Sequence, residues 1–159
     1  MMDRANQAIE RTDSESEIVN RLAVRPHRAN IEPSFYEDFA LRGIRADRVE
    51  PGLVACSFKV PPRLTDSTGN LSPGAIVNLV DEVGGAVIYK PGLPMNVSVN
   101  MSVSYVSSAT VNDELEVISR LLGRKGNLVT AVVVIKKKGT EEIVAEGRHT
   151  LFCKHASKI

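Results

Sequence analysis

At 159 residues the chain defaults to a single domain, long enough to bury a core. A net charge of +1, with acids and bases interspersed, excludes nucleic-acid binding by bulk electrostatics. No apolar run approaches the ~20 residues of a membrane span, and the two cysteines, Cys56 and Cys153, sit in apolar runs without metal-ligand spacing, as reduced core residues of an intracellular protein would.

The first thirty residues are polar and aperiodic, and read as a mobile or loosely helical arm (1–30) ahead of one folded domain (31–159). The acids Asp3, Glu10, Asp13, Glu15 and Glu17 speak against a transit peptide, and no signal-peptide apolar region is present. Pro33-Ser34 introduces a short helix with Phe35, Phe39 and Leu41 on its apolar face and Gly43 as its end signal. Residues 44–50 and 53–60 form a hairpin around the turn pair Pro51-Gly52, with Val54, Cys56 and Phe58 on one face, and Pro61-Pro62 ends it. A polar loop, 63–71, leads to the stretch from Ser72 to Tyr89.

That stretch predicts a long, mostly apolar helix. Ser72 can cap the first turn, and Pro73 at the first helical position loses no bond. Gly74, Asn78, Asp81, Glu82 and Gly85 fall in a band roughly 100° wide. The remaining surface is apolar, so the helix is expected to be wrapped by other structure, with the stripe facing a cleft or a partner. Gly84-Gly85 reads as close backbone packing. Lys90-Pro91-Gly92 stops the helix.

Residues 96–106 then alternate, with Val97, Val99, Met101, Val103 and Tyr105 on one face and Ser98, Asn100, Ser102 and Ser104 on the other. Three further strands follow, 114–122, 128–137 and 143–154, separated by turns at 123–127 and 139–142. Short connections make these last four strands antiparallel neighbours. One long helix packed in a curved antiparallel sheet is an α+β fold.

Most familiar chemistries are absent: there is no nucleophile elbow, phosphate loop, dinucleotide fingerprint or Cys/His metal cluster. The histidines are scattered, and His149, next to Arg148 in a strand, reads as structural or surface. Asp81 is the sharpest candidate. Partly desolvated on a buried helix, its carboxylate could activate water or attack an acyl carbon. A solvated or ion-paired acid explains the periodicity slightly better. Glu82, about 100° round the helix, suits a surface or interface. The helix start at Ser72–Gly74 could stabilise an oxyanion or be a plain cap. Arg124-Lys125 in a glycine-flanked turn could meet phosphates or water.

Taken together, NLVDEVGGAVIY, VSVNMSVSYVSSA and IVAEGRHTLF resemble the hotdog-fold acyl-CoA thioesterases, in particular the small eukaryotic group related to the phenylacetate-pathway enzymes. The similarity runs from about Phe35 to Lys154. It implies a hotdog fold, acyl-CoA hydrolysis, and a homodimer with active sites between subunits, commonly paired into a homotetramer. It implies coenzyme A only as part of substrate and product, with no metal or other cofactor. The position of the water-activating acid is Asp81, and that of the serine holding the water is Ser98. A loop residue, usually Asn, corresponds to Asp66. The helix opening, usually His-Gly-Gly, corresponds to Ser72, Pro73 and Gly74. The segments that contact coenzyme A correspond to Asn100, to Tyr105, Val106, Ser107, Ser108, Ala109 and Thr110, and to Gly123, Arg124, Lys125, Gly126, Asn127 and Leu128.

Two departures alter the carbonyl-polarising half. Pro73 has no N–H to serve as the usual donor, and an ionised Asp66 would repel a developing oxyanion. Gly74 N–H or Ser72 would have to substitute. The expectation is an acyl-CoA thioesterase; the alternative is a hotdog protein that binds acyl-CoA, or a related acyl ligand, without turnover. The ending Ser157-Lys158-Ile159 is one conservative change from a peroxisomal tripeptide, which sets peroxisome beside cytoplasm as the expected location.

Overall fold

The computed structural model describes residues 9–10, 12–14, 16–28, 31–32, 34–89 and 96–153. The chain divides into two units, Met1–Phe39 and Ala40–Ile159. In the first, helix α1 (Glu17–Asn20) is a single turn. Helix α2 (Phe35–Leu41) begins there with a reciprocal cap: Glu37 N–H donates to Ser34 Oγ (3.1 Å) and Ser34 N–H donates to Glu37 Oε2 (2.9 Å). The rings of Phe35 and Phe39, one turn apart, stack at 5.8 Å. The expected helix stop at Lys90-Pro91-Gly92 and the Ser157-Lys158-Ile159 tail lie outside the described residues.

The second unit is a six-stranded antiparallel sheet curved around one long helix. Its strands are β1 (Arg45–Glu50), β2 (Leu53–Lys59), β3 (Val97–Tyr105), β4 (Glu114–Lys125), β5 (Leu128–Lys137) and β6 (Ile143–Phe152). Helix α3 (Pro73–Ala86) lies on the inner face. Hairpins join β1–β2, β4–β5 and β5–β6, and Gly52, Gly126 and Gly139 supply the positive φ that their turns need.

The spatial order is β1-β2-β4-β5-β6-β3. This corrects the expectation that β3 would neighbour β4. The connection between them is no tight turn. Residues 106–113 bond to other segments: Val106 N–H to Val144 O (2.9 Å), and Leu71 N–H to Ala109 O (2.7 Å). β3 instead pairs with β6 at the sheet edge.

Inward residues of the sheet follow a period of two. Val129, Ala131, Val133 and Ile135 on β5 are all essentially buried, as are Ala145, Gly147, His149 and Leu151 on β6. Val133, Ile135 and Ala145 share one core with Ile76, Leu79, Val80 and Val83 of α3, each worth roughly 1.5–3 kcal/mol for full burial, whereas Val129, Ala131 and Leu151 cluster with Ile88. The helix comes very close to the sheet. A Cβ at Gly147 would stand 2.5 Å from Val80 Cγ1, and one at Gly84 would stand 3.0 Å from His149 Nδ1. Close packing therefore explains Gly84. It does not explain Gly85, where a Cβ would meet only Leu151 Cδ2 at 4.0 Å.

Three expectations shift. The helix ends at Ala86, three residues before Tyr89, in a turn. Its open stripe runs through Gly74, Val77, Asp81 and Gly85, while Asn78 is buried. β4 continues to Lys125 through a bulge between Leu121 and Gly123, so the turn is only Gly126-Asn127, and residues 123–125 are strand.

Candidate active site

Asp81 stands on the open side of α3, its side chain 43% exposed. Below it are two residues from the sheet. Ser98 Oγ–H donates to Asp81 Oδ1 at 3.1 Å. His149 Nε2 is 2.9 Å from Ser98 Oγ and 3.2 Å from Asp81 Oδ1, and the ring is fully buried.

A bulge brings Ser98 to this position. On β6, His149 and Leu151 are two residues apart. Their partners on β3, Met101 and Ser98, are three apart. The extra residue between Ser98 and Asn100 flips the alternation. Ser98 therefore shares the inner face with Met101, Val103 and Tyr105, rather than the outer face with Asn100 where strict alternation puts it.

His149 is the functional candidate that reading the sequence as structural or surface missed. Burial pushes its pKa below the ordinary value, and the Asp81 charge opposes that only in part. The ring is neutral at pH 7. Nδ1 is buried against Gly84 and has no hydrogen-bond partner among the described residues. A buried bare acceptor is tolerated better than a buried orphan N–H, so the ring proton belongs on Nε2. The result is a directed chain: His149 Nε2–H donates to Ser98 Oγ, and Ser98 Oγ–H donates to Asp81 Oδ1. Oδ2 has no protein partner among the described residues.

These three side chains form part of the wall of an open cavity of about 360 Å³ that also touches Glu82, Gly85, Ala86, Tyr89, Asn96 and Leu151. That volume suits a small-molecule site. Among the described residues, no three His, Cys, Asp or Glu side chains gather as a metal site would require.

The other expected residues lie elsewhere. Ser72 caps α3, its Oγ accepting from Ala75 N–H at 3.2 Å, and Ile76 N–H goes to Ser72 O at 3.1 Å. Pro73 has no N–H. Gly74 therefore keeps the single unclaimed N–H of the first turn, on an exposed residue with no atom near where a Cβ would be. Asp66 folds back on its own loop: Oδ1 accepts from Thr68 Oγ (2.6 Å), Thr68 N–H (2.8 Å) and Asn70 N–H (3.2 Å). The Thr68 hydroxyl bond chiefly holds the carboxyl below the usual range, so Asp66 is ionised. Residues 105–110 border this end. Ala109 is buried, Thr110 bridges Asn70, and Ser107 Oγ–H donates to Ile143 O. Val106 and Ser108 are exposed.

Asn100 and the β4–β5 tip belong to the opposite end and to the outer face. Asn100, Thr150, Thr130 and Gly123 form one cross-strand row. Gly123, Arg124, Lys125 and Leu128 line an open groove of about 340 Å³ there, with Gly126-Asn127 as its turn. Seven residues separate Gly74 from Asp81, about 10 Å along the helix. One carbonyl cannot meet both groups of the same chain.

A single helix sheathed by an antiparallel sheet, with an acid on the helix held by a serine and a histidine beneath it, defines a hotdog-fold thioesterase. Comparison with known proteins agrees. The thioesterase superfamily profile matches residues 68–144. Human acyl-coenzyme A thioesterase 13 is 31% identical over 102 residues, covering 63% of this chain and 72% of that protein. The crystal structure of zebrafish thioesterase superfamily member 2 superposes with a TM-score of 0.71 at 28% identity, covering 78% of this chain and 89% of the other. A hypothetical thioesterase from Streptococcus pneumoniae, solved with coenzyme A, shares the fold (TM-score 0.67, 20% identity, 71% and 90% covered). The chain belongs to the thioesterase superfamily and is a thioester hydrolase by class.

Proposed function

We propose that the protein hydrolyses acyl-CoA thioesters, with Asp81 as general base. The observation that carries this reading is the His149–Ser98–Asp81 chain at the wall of an open cavity. Ser98, itself held by His149, fixes Oδ1, and Oδ2 is left to take a proton from water. The water oxygen bonds to the acyl carbon, and the carbonyl oxygen becomes an oxyanion. Collapse breaks the C–S bond, and the proton held on Asp81 passes to the coenzyme A thiolate as it leaves, which restores the carboxylate.

The oxyanion needs a donor, and the unclaimed Gly74 N–H at the positive end of α3 is the group suited to it. Because that group lies about 10 Å along the helix from Asp81, the site is completed by the helix start of a second copy. The protein thus acts as a homodimer or a higher assembly of dimers. The outer groove at Gly123, Arg124 and Lys125, with Asn100 in the adjoining row, and the segment 105–110 are the places offered to coenzyme A. The names of the relatives support this substrate class.

The test is Asp81→Asn. Removing the base should lower kcat by about 10²–10⁴-fold with coenzyme A binding kept. Hydrolysis at the wild-type rate would overturn the assignment. The second reading, binding without turnover, draws on Pro73 and the ionised Asp66. It predicts coenzyme A binding with no thioester hydrolysis by the wild-type protein.

A further inference from the structure

The acid end works as a relay: one side chain donates to a second, which orients the group that reacts. The helix start holds a comparable arrangement. The hydroxyl of Tyr105 donates to Pro73 O at 3.5 Å. The carbonyl of Pro73 and the N–H of Gly74 belong to one planar, conjugated peptide group. Tyr105 therefore touches the far end of the same peptide that carries the unclaimed donor.

The sheet presents this hydroxyl. Tyr105 is the last residue of β3 and pairs with Ala145 of β6, which keeps its side chain on the inner face with Met101 and Val103. Just beyond it, Val106 N–H (2.9 Å) and Ser107 N–H (3.2 Å) both donate to Val144 O and pin the strand end. The residue is half-exposed, at the open side of the helix start. Among the described residues Pro73 O is the hydroxyl's one hydrogen-bond partner. A carbonyl has two lone pairs, so it can accept this hydroxyl as well as the helical N–H four residues on. At 3.5 Å the contact is longer than an ordinary O–H···O bond. Such bonds are often long in a free enzyme and tighten when the reacting group is bound. An oxyanion on Gly74 N–H would draw it in, because it shifts charge across the peptide onto Pro73 O.

We propose that Tyr105 is a positioning residue of the oxyanion half, strengthening Gly74 N–H as a donor by hydrogen bonding to the carbonyl of the same peptide. The proposal rests on the reading of Gly74 N–H as the oxyanion donor. The chain runs from Tyr105 O–H to Pro73 O, and from Gly74 N–H to the thioester oxygen. No proton passes along it. Linked hydrogen bonds polarise one another and gain about 10–30% each. A donor worth about 10²–10³ in rate should then lose about two- to eightfold when the link is cut. With Pro73 supplying no N–H, this is a way to obtain more from the single donor that remains.

The experiment is Tyr105→Phe, which keeps the ring and removes only the hydroxyl. The single-turnover rate on hexanoyl-CoA should fall about two- to eightfold, with Tm and calorimetric binding of coenzyme A unchanged. An unchanged rate would overturn the proposal: weaker coenzyme A binding would then make Tyr105 a substrate contact, and a lower Tm would make it a brace. The thioester carbonyl gives a direct reading. In Asp81→Asn, which leaves the substrate intact, the infrared stretch of hexanoyl-CoA labelled with carbon-13 at its carbonyl should lie at lower frequency than in water. Adding Tyr105→Phe should reduce that shift. An equal shift with and without the hydroxyl, or no shift at all, would overturn the relay. The same spectra separate this from failure of the hydrolytic reading. If the wild type hydrolyses no acyl-CoA, it can be measured without Asp81→Asn, and a shift that shrinks in Tyr105→Phe still supports the relay.

Discussion

The two ends of α3 are built differently. At the acid end, three side chains from the helix and two edge-side strands hold one another, and one carboxylate oxygen is left over. At the helix start almost every polar group is already committed. Ser72 Oγ takes an N–H, Asp66 takes three hydrogen bonds within its own loop, and Pro73 has no N–H to give. What remains is one backbone donor, that of Gly74. A base needs a side chain with an oriented oxygen. An oxyanion donor needs only an N–H that the helix cannot satisfy itself. Substitutions are therefore expected to be tolerated much better at Ser72 and Asp66 than at Asp81, Ser98 or His149.

Four further measurements would break or sharpen that contrast. The largest effect should come from Ser98→Ala, which removes a hydrogen bond to a charged group. That is worth about 1.5–3 kcal/mol, so steady-state kcat should fall about ten- to a hundredfold; a fall under twofold would sever Ser98 from the acid end. Next, Gly84→Ala should cost about 1–3 kcal/mol in urea unfolding, because the new methyl would press on His149 Nδ1 and Val133. Activity should fall with it, since His149 has nowhere to retreat without leaving Ser98.

At the helix start the expected change is small and of the opposite sign. Asp66→Asn keeps an acceptor for Thr68 and Asn70 but removes the charge. Two charges 4 Å apart in water interact by about 1 kcal/mol, so kcat should rise by no more than about fivefold. A large loss on removing this charge would mean that Asp66 is used in the reaction.

The smallest effect is on pH dependence. His149 has a depressed pKa in the fold. As pH drops below about 6.5, the unfolded imidazole takes up a proton that the buried one refuses. The stability this group contributes is present above that pH and is lost as pH falls toward its folded value. Tm should decline from pH 7.5 to pH 5 more steeply in the wild type than in His149→Asn; parallel declines would show that the ring is not held neutral.

Much of this was legible in the residues. Ser-Pro before an apolar run located α3, and the strands of the hairpins followed from their periods and glycine turns. Asp81 and Ser98 could be picked out, but their relation could not. The bulge after Ser98 leaves no mark in VSVNMSVSY, because either face of an edge strand tolerates serine and valine. His149 did carry a signal. It stands at the same parity as Ala145, Gly147 and Leu151, which places it on the buried face, and a buried histidine needs a polar neighbour. The position of β3 beside β6 was hidden because an eight-residue connection can turn back or cross over. The distance between Gly74 and Asp81 follows from helix geometry alone, and the proposal of a second copy rests on it.

The central claim is that Asp81 activates water rather than attacking the acyl carbon itself. A single turnover with enzyme in excess over hexanoyl-CoA, run in water enriched in oxygen-18, tests it directly. General-base attack predicts one labelled oxygen in the released acid and none in the peptide containing Asp81. Label in the Asp81 carboxylate, with unlabelled acid released in that first turnover, would contradict it.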